Sequence, residues 1–143
     1  MIYGNARDRE VECSVSMNGH IRLAISKAKT HKKGWGEEVW IINNDTYCGK
    51  LLKFNKGASF SDHYHIIKDE AWYVLSGKLE LRYYNLANAD RVVKVLKEGD
   101  VVHIPPNTPH QLVARETSVI IEVSTPHDEA DSYRIGKGDS QKK

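Results

Sequence analysis

The chain has 143 residues, with 21 Lys and Arg against 19 Asp and Glu, so its formal charge is +2. This length fits one domain, and a composition of 40% hydrophobic and 28% charged residues is typical of globular proteins, which argues against a disordered, collagen-like or repeat protein. The small, mixed charge argues against nucleic acid as a partner. No apolar run approaches the roughly 20 residues of a membrane helix, so we expect no membrane partner.

Two features bear on the compartment. The first ten residues, MIYGNARDRE, lack the basic-then-apolar layout of a signal peptide, which predicts a cytoplasmic protein. Cys13 and Cys48 lie far apart and form no CxxC pair. We therefore expect two free thiols rather than a disulfide framework or a zinc knuckle.

The pattern along the chain changes twice. Residues 1–36 show weak alternation and the basic, glycine-punctuated segment THKKGWG, and are predicted to be an arm with one or two strands and a loop. Residues 37–126 are predicted to form a barrel, because short β-rich runs alternate there with turn residues. Residues 127–143 are predicted to be an extension, partly disordered, since the chain after Ile135 is small, polar and charged.

Eight strands are predicted between the turns. They cover residues 38–42, 47–54, 71–76, 78–84, 91–96, 101–104, 111–115 and 118–123. No long stretch keeps a helical period, and the connections are too short for helical crossovers between parallel strands. The sequence therefore predicts an all-β sandwich or barrel.

One group of residues has the composition of a metal site. His63 and His65 are two apart, so on a strand their side chains leave the same face. Glu70 opens the next predicted strand, and His110 lies at the mouth of a later hairpin. Imidazole and carboxylate together suit one divalent transition metal, Mn, Fe, Co, Ni or Zn, better than calcium or magnesium.

The two segments that carry these residues resemble the motifs of the cupin superfamily, G(x)5HxH(x)3,4E(x)6G and G(x)5PxG(x)2H(x)3N. Every fixed position of the first motif is matched between Gly57 and Gly77. The second departs at Asn107, where the family has glycine, and at Ala114, where it has asparagine; asparagine tolerates a left-handed backbone. The resemblance implies a double-stranded β-helix (jelly-roll, cupin barrel) with a short N-terminal arm. The ligands it implies are His63, His65, Glu70 and His110.

The alternation of neighbouring residues tests this assignment. If Glu70 points inward, Trp72 and Val74 do too, and if His110 does, Leu112 and Ala114 follow. All four are apolar or small, as barrel filling requires. The other histidines lie outside the ligand set: His103 is interpreted as a wall or surface residue, and no role is assigned to His20, His31 and His127.

A narrower resemblance extends from about Gly34 to Ile135. Segments such as KGWGEEVWIINND, YCGKLLKFNKG, DEAWYVLSGKLEL and DEADSYRI resemble the type II mannose-6-phosphate isomerase family, the cupin half of bifunctional isomerase/guanylyltransferases. Gly34 replaces the proline of that family's PWG turn, and Leu51 stands where the family has arginine. These 143 residues do not resemble the guanylyltransferase half. The resemblance implies a small-molecule substrate, a sugar or sugar phosphate.

Interconversion of an aldose and a ketose moves a proton between adjacent carbons through an enediolate, which a divalent metal stabilises. Lys50 is the first candidate base, because residues two apart on a strand point to the same side and Leu52 and Phe54 are apolar, which places Lys50 on the inner wall. The alternative is that Lys50 is a solvated lysine at the rim. Arg134 is the second catalytic candidate, able to meet an anionic substrate, or it only pins the C-terminal arm. Lys53, Tyr73 and Arg82 are less attractive, because alternation places them on the other face. Trp35, Trp40 and Trp72 could stack on a sugar ring, although buried core tryptophans are commoner.

Three functions therefore stay open. The first is a metal-dependent sugar or sugar-phosphate isomerase or epimerase. The second is an iron-dependent cupin dioxygenase, which the same ligand types would serve, and the third is a metal- or sugar-binding module without catalysis. A small jelly roll has exposed sheet edges, and pairing through the N-terminal arm would cover one, so we expect a homodimer.

Overall fold

The computed structural model of the chain describes the backbone of Ser14–Val15 and residues 19–142. The predicted thiol of Cys13 lies outside these residues, and Cys48 is a buried free cysteine. Within the described part the strands are β1 (Ser14–Val15), β2 (Ile21–Arg22), β3 (Lys29–Lys33), β4 (Gly36–Asn43), β5 (Cys48–Phe54), β6 (Asp62–Tyr64), β7 (Glu70–Ser76), β8 (Lys78–Tyr84), β9 (Arg91–Lys97), β10 (Val101–Ile104), β11 (His110–Ala114), β12 (Ser118–Ser124) and β13 (Tyr133–Gly136). Short 3-10 turns follow at Glu129–Asp131 and Asp139–Gln141.

The strands form two large antiparallel sheets. One has the order β10-β7-β12-β5-β4-β3 and the other the order β13-β6-β11-β8-β9, while β1 and β2 pair separately in the N-terminal arm. Strands adjacent in sequence repeatedly lie in opposite sheets, as β5 and β6 or β6 and β7 do. This is the jelly-roll arrangement, and the predicted fold class is confirmed.

The core lies between the two sheets. Glu70, Trp72 and Val74 of β7 are buried while their neighbours face outward, and Leu112 and Ala114 of β11 are buried in the same way. The predicted alternation is therefore confirmed on both strands. Fully burying a Leu or Val side chain contributes roughly 1.5–3 kcal/mol, so these inner faces hold the sheets together. The cluster contains Trp35, Leu52, Phe54, Ala58, Phe60, Trp72, Val74, Leu79, Leu81, Leu96, Ile104, Leu112, Ala114 and Ile120.

The eight predicted strands are found within two residues at each end. The prediction of a loop at THKKGWG is wrong, because Lys29–Lys33 pairs with β4 along its whole length. Strands Asp62–Tyr64 and Tyr133–Gly136 were not predicted. All three are short or lie at a sheet edge, where exposed polar side chains are tolerated and apolar alternation disappears.

Two turns required special residues. Asn107 has φ of +65°, so the left-handed conformation expected from its substitution for glycine is confirmed. Gly77 has φ of +92° in the tight hairpin from β7 to β8, and a side chain there would collide with the Thr117 carbonyl and with Ser118. Both turns set the register of strands that carry the candidate ligands.

The C-terminal residues pack against the barrel. β13 pairs with β6, and Asp139 accepts a hydrogen bond from the Ser59 amide at 2.8 Å. The predicted domain boundaries at residues 36 and 126 stay a prediction. Strands β3 and β13 lie outside residues 37–126, yet they join the two large sheets of the barrel. Among the described residues no helix is long and apolar enough to span a membrane.

Candidate metal centre

The fold brings the four predicted ligands together from three strands. His63 lies on β6 and His110 at the start of β11, and these two residues are direct partners in the sheet. His65 follows β6 by one residue, so it returns to the same side as His63. Glu70 begins β7 in the opposite sheet and faces inward. The four side chains therefore meet in the space between the sheets.

The distances within this group are short. One ring nitrogen from each of His63, His65 and His110 lies within 4.8 Å of the others. Glu70 Oε1 lies 3.3 Å from His110 Nε2, and Glu70 Oε2 lies 3.7 Å from His65 Nε2. The three histidines form a group that could hold a metal ion, with the carboxylate directly beside them.

The hydrogen bonds of the imidazoles fit a metal. Each Nδ1 lies within hydrogen-bond distance of a backbone carbonyl oxygen, which only a protonated Nδ1 can satisfy; the carbonyls are Ser61 for His63 at 2.7 Å, Asp131 for His65 at 2.8 Å and Thr108 for His110 at 2.8 Å. The three Nε2 atoms are therefore left with lone pairs. His110 Nε2 is buried and has no hydrogen-bond partner. Backbone carbonyls that orient imidazoles in this way are typical of the surroundings of a metal site.

The electrostatics keep the His63 and His65 rings neutral. Burial lowers the pKa of His63 to about 3, with the neighbouring His110 and His65 adding to the effect. Burial also lowers the pKa of His65. Burial alone would raise the pKa of Glu70, but the Lys68 ammonium and His110 hold it well below its usual range. His63 and His65 thus present neutral nitrogens beside an ionised carboxylate, the forms that bind metal.

The centre opens into a cavity whose space, with the solvent at its mouth included, is about 640 Å³. Its wall carries equal numbers of cationic and anionic side chains: Lys33, Lys50, Lys68, Arg134, Glu38, Glu70, Glu122 and Glu129. A divalent ion would make the cavity net positive. Trp35 and Trp72 also line it, whereas Trp40 lies beneath Lys50.

The two predicted catalytic residues both line this cavity. Lys50 faces inward and is 1% exposed, so it is not a solvated rim lysine. Its Nζ lies 3.5 Å from Glu38 Oε2 and 4.3 Å from the centre of the Trp40 ring. Arg134 lies on β13 opposite His63 and is exposed at the mouth. Leu51 points away from the cavity, so the family arginine missing at this position removes no charge from it.

The sequence did not point to a buried ion-pair network beside the centre. Lys68 is 4% exposed, and its Nζ lies 2.8 Å from Glu122 Oε2 and 3.3 Å from Glu70 Oε2. Burial would lower the pKa of Lys68, but the two carboxylates raise it well above its usual value. Glu122 could have been found from the sequence, because it lies two residues after the apolar Ile120 on a buried strand and so points to the same side. Lys68 lies in a turn, where no sequence pattern indicates the direction of a side chain.

The C-terminal segment builds part of the centre. The buried Asp131 carboxylate accepts hydrogen bonds from the amides of Ile66, Ile67 and Lys68, and its carbonyl orients His65. The next turn explains Gly34: its amide donates to Ser140 Oγ at 2.9 Å, and a side chain there would collide with the Asp139 backbone. A proline has no such amide and would not fit.

The chain is similar to a known protein family in sequence and to solved structures in fold. The Cupin domain family model matches residues 50–125. Among solved structures, the capsular polysaccharide assembling protein CapF from Staphylococcus aureus has 20% identity and a TM-score of 0.67, covering 76% of this chain and 34% of its own. Oxalate decarboxylase from Bacillus subtilis has 16% identity and a TM-score of 0.68, covering 76% and 30%. No curated protein matches the chain.

The extent of these likenesses limits what they show. At 16–20% identity they show the fold, and the chain spans about a third of the length of either protein. Mn(II) centres are described for the Bacillus subtilis oxalate decarboxylase. The described residues of this chain supply three inward histidines that could hold a metal ion.

Proposed function

Because the chain belongs to the cupin family, we propose that it is a divalent-metal-dependent isomerase or epimerase of a sugar or sugar phosphate, similar to type II mannose-6-phosphate isomerase. The metal would be one ion of Mn, Fe, Co, Ni or Zn, held by His63, His65, His110 and Glu70. The observation that carries this proposal is the site itself: three Nε2 lone pairs converge beside an ionised carboxylate at the inner end of a polar cavity.

The walls of the cavity fit a polyhydroxylated substrate. Carboxylates and ammonium groups occur together on them, so hydroxyl groups would find both acceptors and donors. Two largely buried indole rings, Trp35 and Trp72, form apolar parts of the wall. A bound divalent ion would polarise the carbonyl and hydroxyl oxygens between which the proton moves.

The two predicted catalytic residues take different places in this proposal. Arg134 is exposed at the mouth and would bind an anionic end of the substrate, such as a phosphate. Lys50 was predicted to be the base, but its contacts with Glu38 and with the Trp40 ring are those of an ammonium cation. We propose that Lys50 donates a hydrogen bond to a substrate oxygen and so acts as a catalytic donor.

The proposal predicts conversion without oxygen. Metal-free chain, loaded in turn with Mn, Fe, Co, Ni or Zn, is incubated anaerobically with mannose, lyxose, fructose and their phosphates, and products are followed by proton NMR. We expect at least one aldose–ketose pair to interconvert with several of the metals, because polarisation requires a divalent charge and no change of oxidation state. Chain treated with chelator is the matched control and should be inactive.

The same experiment tests the alternatives. An oxygen electrode monitors aerobic samples with the same sugars and with oxalate, which appears in the name of one structurally similar protein. Unchanged sugars together with oxygen uptake would contradict the isomerase and favour the iron-dependent dioxygenase. Unchanged sugars without oxygen uptake would favour a binding module without catalysis.

The homodimer and the cytoplasmic location stay predictions. In the described part of the arm, the side chains of Ile21, Leu23 and Ile25 are exposed, as expected of a segment that pairs with another surface.

A further inference from the structure

His127, to which the sequence assigned no role, is held from several sides in the wall of the cavity. Its amide donates to Asn43 Oδ1 at 2.8 Å, and its carbonyl accepts from Asn43 Nδ2 at 3.1 Å. Asn43 is itself buried, and the edge of the His127 ring packs at 82° against Trp40, with 5.4 Å between centres. These contacts fix the orientation of the His127 side chain.

The two ring nitrogens of His127 have partners of opposite kind. Nε2 lies 3.0 Å from Glu129 Oε1, and a carboxylate oxygen can only accept a hydrogen bond from it. Nδ1 faces Lys68 Nζ, which can only donate. The proton of the neutral ring is therefore on Nε2, and the lone pair is on Nδ1. A carboxylate behind an imidazole in this arrangement is the pairing that serves general bases.

The Nδ1 lone pair is only weakly engaged. Its distance of 3.4 Å to Lys68 Nζ is long for a hydrogen bond, because Lys68 is held at 2.8 Å by Glu122. His127 lines the same cavity as the metal centre, and 10% of its side chain is exposed there. Nδ1 is therefore the ring nitrogen that has no carboxylate partner.

The charged groups around His127 agree with this interpretation. Burial lowers its pKa, and Lys50 on β5 and Lys68 before β7 lower it further, while Glu129 acts in the opposite direction. The pKa of Glu129 is lowered to about 2, chiefly by its hydrogen bond from His127. Glu38 on β4 is a further charged group near His127, and Lys33 on β3 lies near Glu129. The pair at neutral pH is an uncharged imidazole and a carboxylate.

We infer that His127, oriented by Glu129, is the base that moves the proton between the two substrate carbons, an inference that rests on the proposed isomerase function. His127 Nδ1 takes the proton from the carbon next to the carbonyl. The C–H electron pair becomes the carbon–carbon double bond of the enediolate, and the carbonyl π pair moves to its oxygen. The proton of the neighbouring hydroxyl then passes to the former carbonyl oxygen, the electron pair of that hydroxyl oxygen forms the new carbonyl, and the double-bond pair takes the proton back from the imidazolium at the other carbon, which restores His127.

The test combines kinetics with NMR on the full chain. With the sugar that the metal-loaded wild type converts, His127→Gln should lower kcat by at least about 100-fold while KM and metal content stay within about threefold. Glu129→Gln should lower kcat less, by about tenfold, and shift the pH profile. His103→Gln is the matched control, since His103 also pairs with a carboxylate, Asp69 at 2.6 Å, but lies exposed outside the cavity, and it should change nothing.

Nitrogen-15 NMR of the histidine rings gives a readout without substrate. We expect the Nε2–H tautomer for His127 in the wild type. An Nδ1–H tautomer, or a His127→Gln variant that keeps the kcat of an active wild type, would overturn the inference alone. A metal-loaded wild type that converts none of the sugars would overturn the proposed function and this inference with it.

Discussion

Replacing His63 and His110 together by alanine is expected to abolish stoichiometric metal binding. The substitution removes two of the three converging imidazoles, and His65 with Glu70 would leave a two-residue site, fewer than the three or four protein ligands that divalent metals usually need. His63 lines the cavity, whereas the His110 ring is 1% exposed and packs against Phe60 and Trp72, so circular dichroism of the variant checks that the barrel still forms. Metal analysis after gel filtration, together with calorimetric titration of zinc, measures the loss.

A double variant with the same number of imidazoles removed is the control. His20→Ala with His103→Ala removes two exposed histidines outside the cavity, and it should keep the wild-type metal content of one ion per chain. Retention of one tightly bound ion by the His63→Ala/His110→Ala variant would mean that the ligand set is wrong.

Replacing Lys68 by methionine is expected to destabilise the metal-free chain by about 3–5 kcal/mol. The ammonium is the buried partner of both Glu122 and Glu70, and its loss leaves two carboxylates in the interior without a cation. Each would have to take up a proton or draw in water, at a cost in folding free energy. Urea unfolding of wild type and variant in the presence of chelator measures the difference.

Two further variants distinguish the effect of losing the buried ion pair from the effect of losing a surface charge. Lys53→Met removes a lysine that is 45% exposed and lies 3.7 Å from Glu37, and should change the unfolding free energy by no more than about 0.5 kcal/mol. Adding Glu122→Leu to Lys68→Met should recover part of the loss, because the unpaired carboxylate is gone. A Lys68→Met variant as stable as Lys53→Met would contradict a structural role for the network.

The central strands and the ligand group were predictable because local rules govern them. Apolar alternation on β7 and β11 placed Trp72 and Leu112 inside, and it therefore placed Glu70 and His110 inside with them. The spacing of His63 and His65 put both rings on one face for the same reason. The same rule placed Lys50 on the inner wall. Each of these predictions depends only on residues two apart on a strand.

The rest of the site depends on contacts between distant parts of the chain. His127 and Lys68 lie in connections, where no periodicity reports the direction of a side chain, and they meet only because the C-terminal segment folds back over the barrel. Asp131 supports the turn at Ile66 from 65 positions away in sequence. Strands β3 and β13 were missed because their hydrogen-bonded partners, rather than apolar side chains, hold them in place.

X-ray absorption spectroscopy of the zinc-loaded full chain tests the central claim most directly, namely that three histidines and one glutamate of this cavity hold a metal. We predict a first shell of nitrogen and oxygen only, at about 2.0–2.2 Å, with the multiple scattering of three imidazoles and one carboxylate oxygen. A sulfur ligand at about 2.3 Å, or fewer than three imidazoles in the shell, would contradict it.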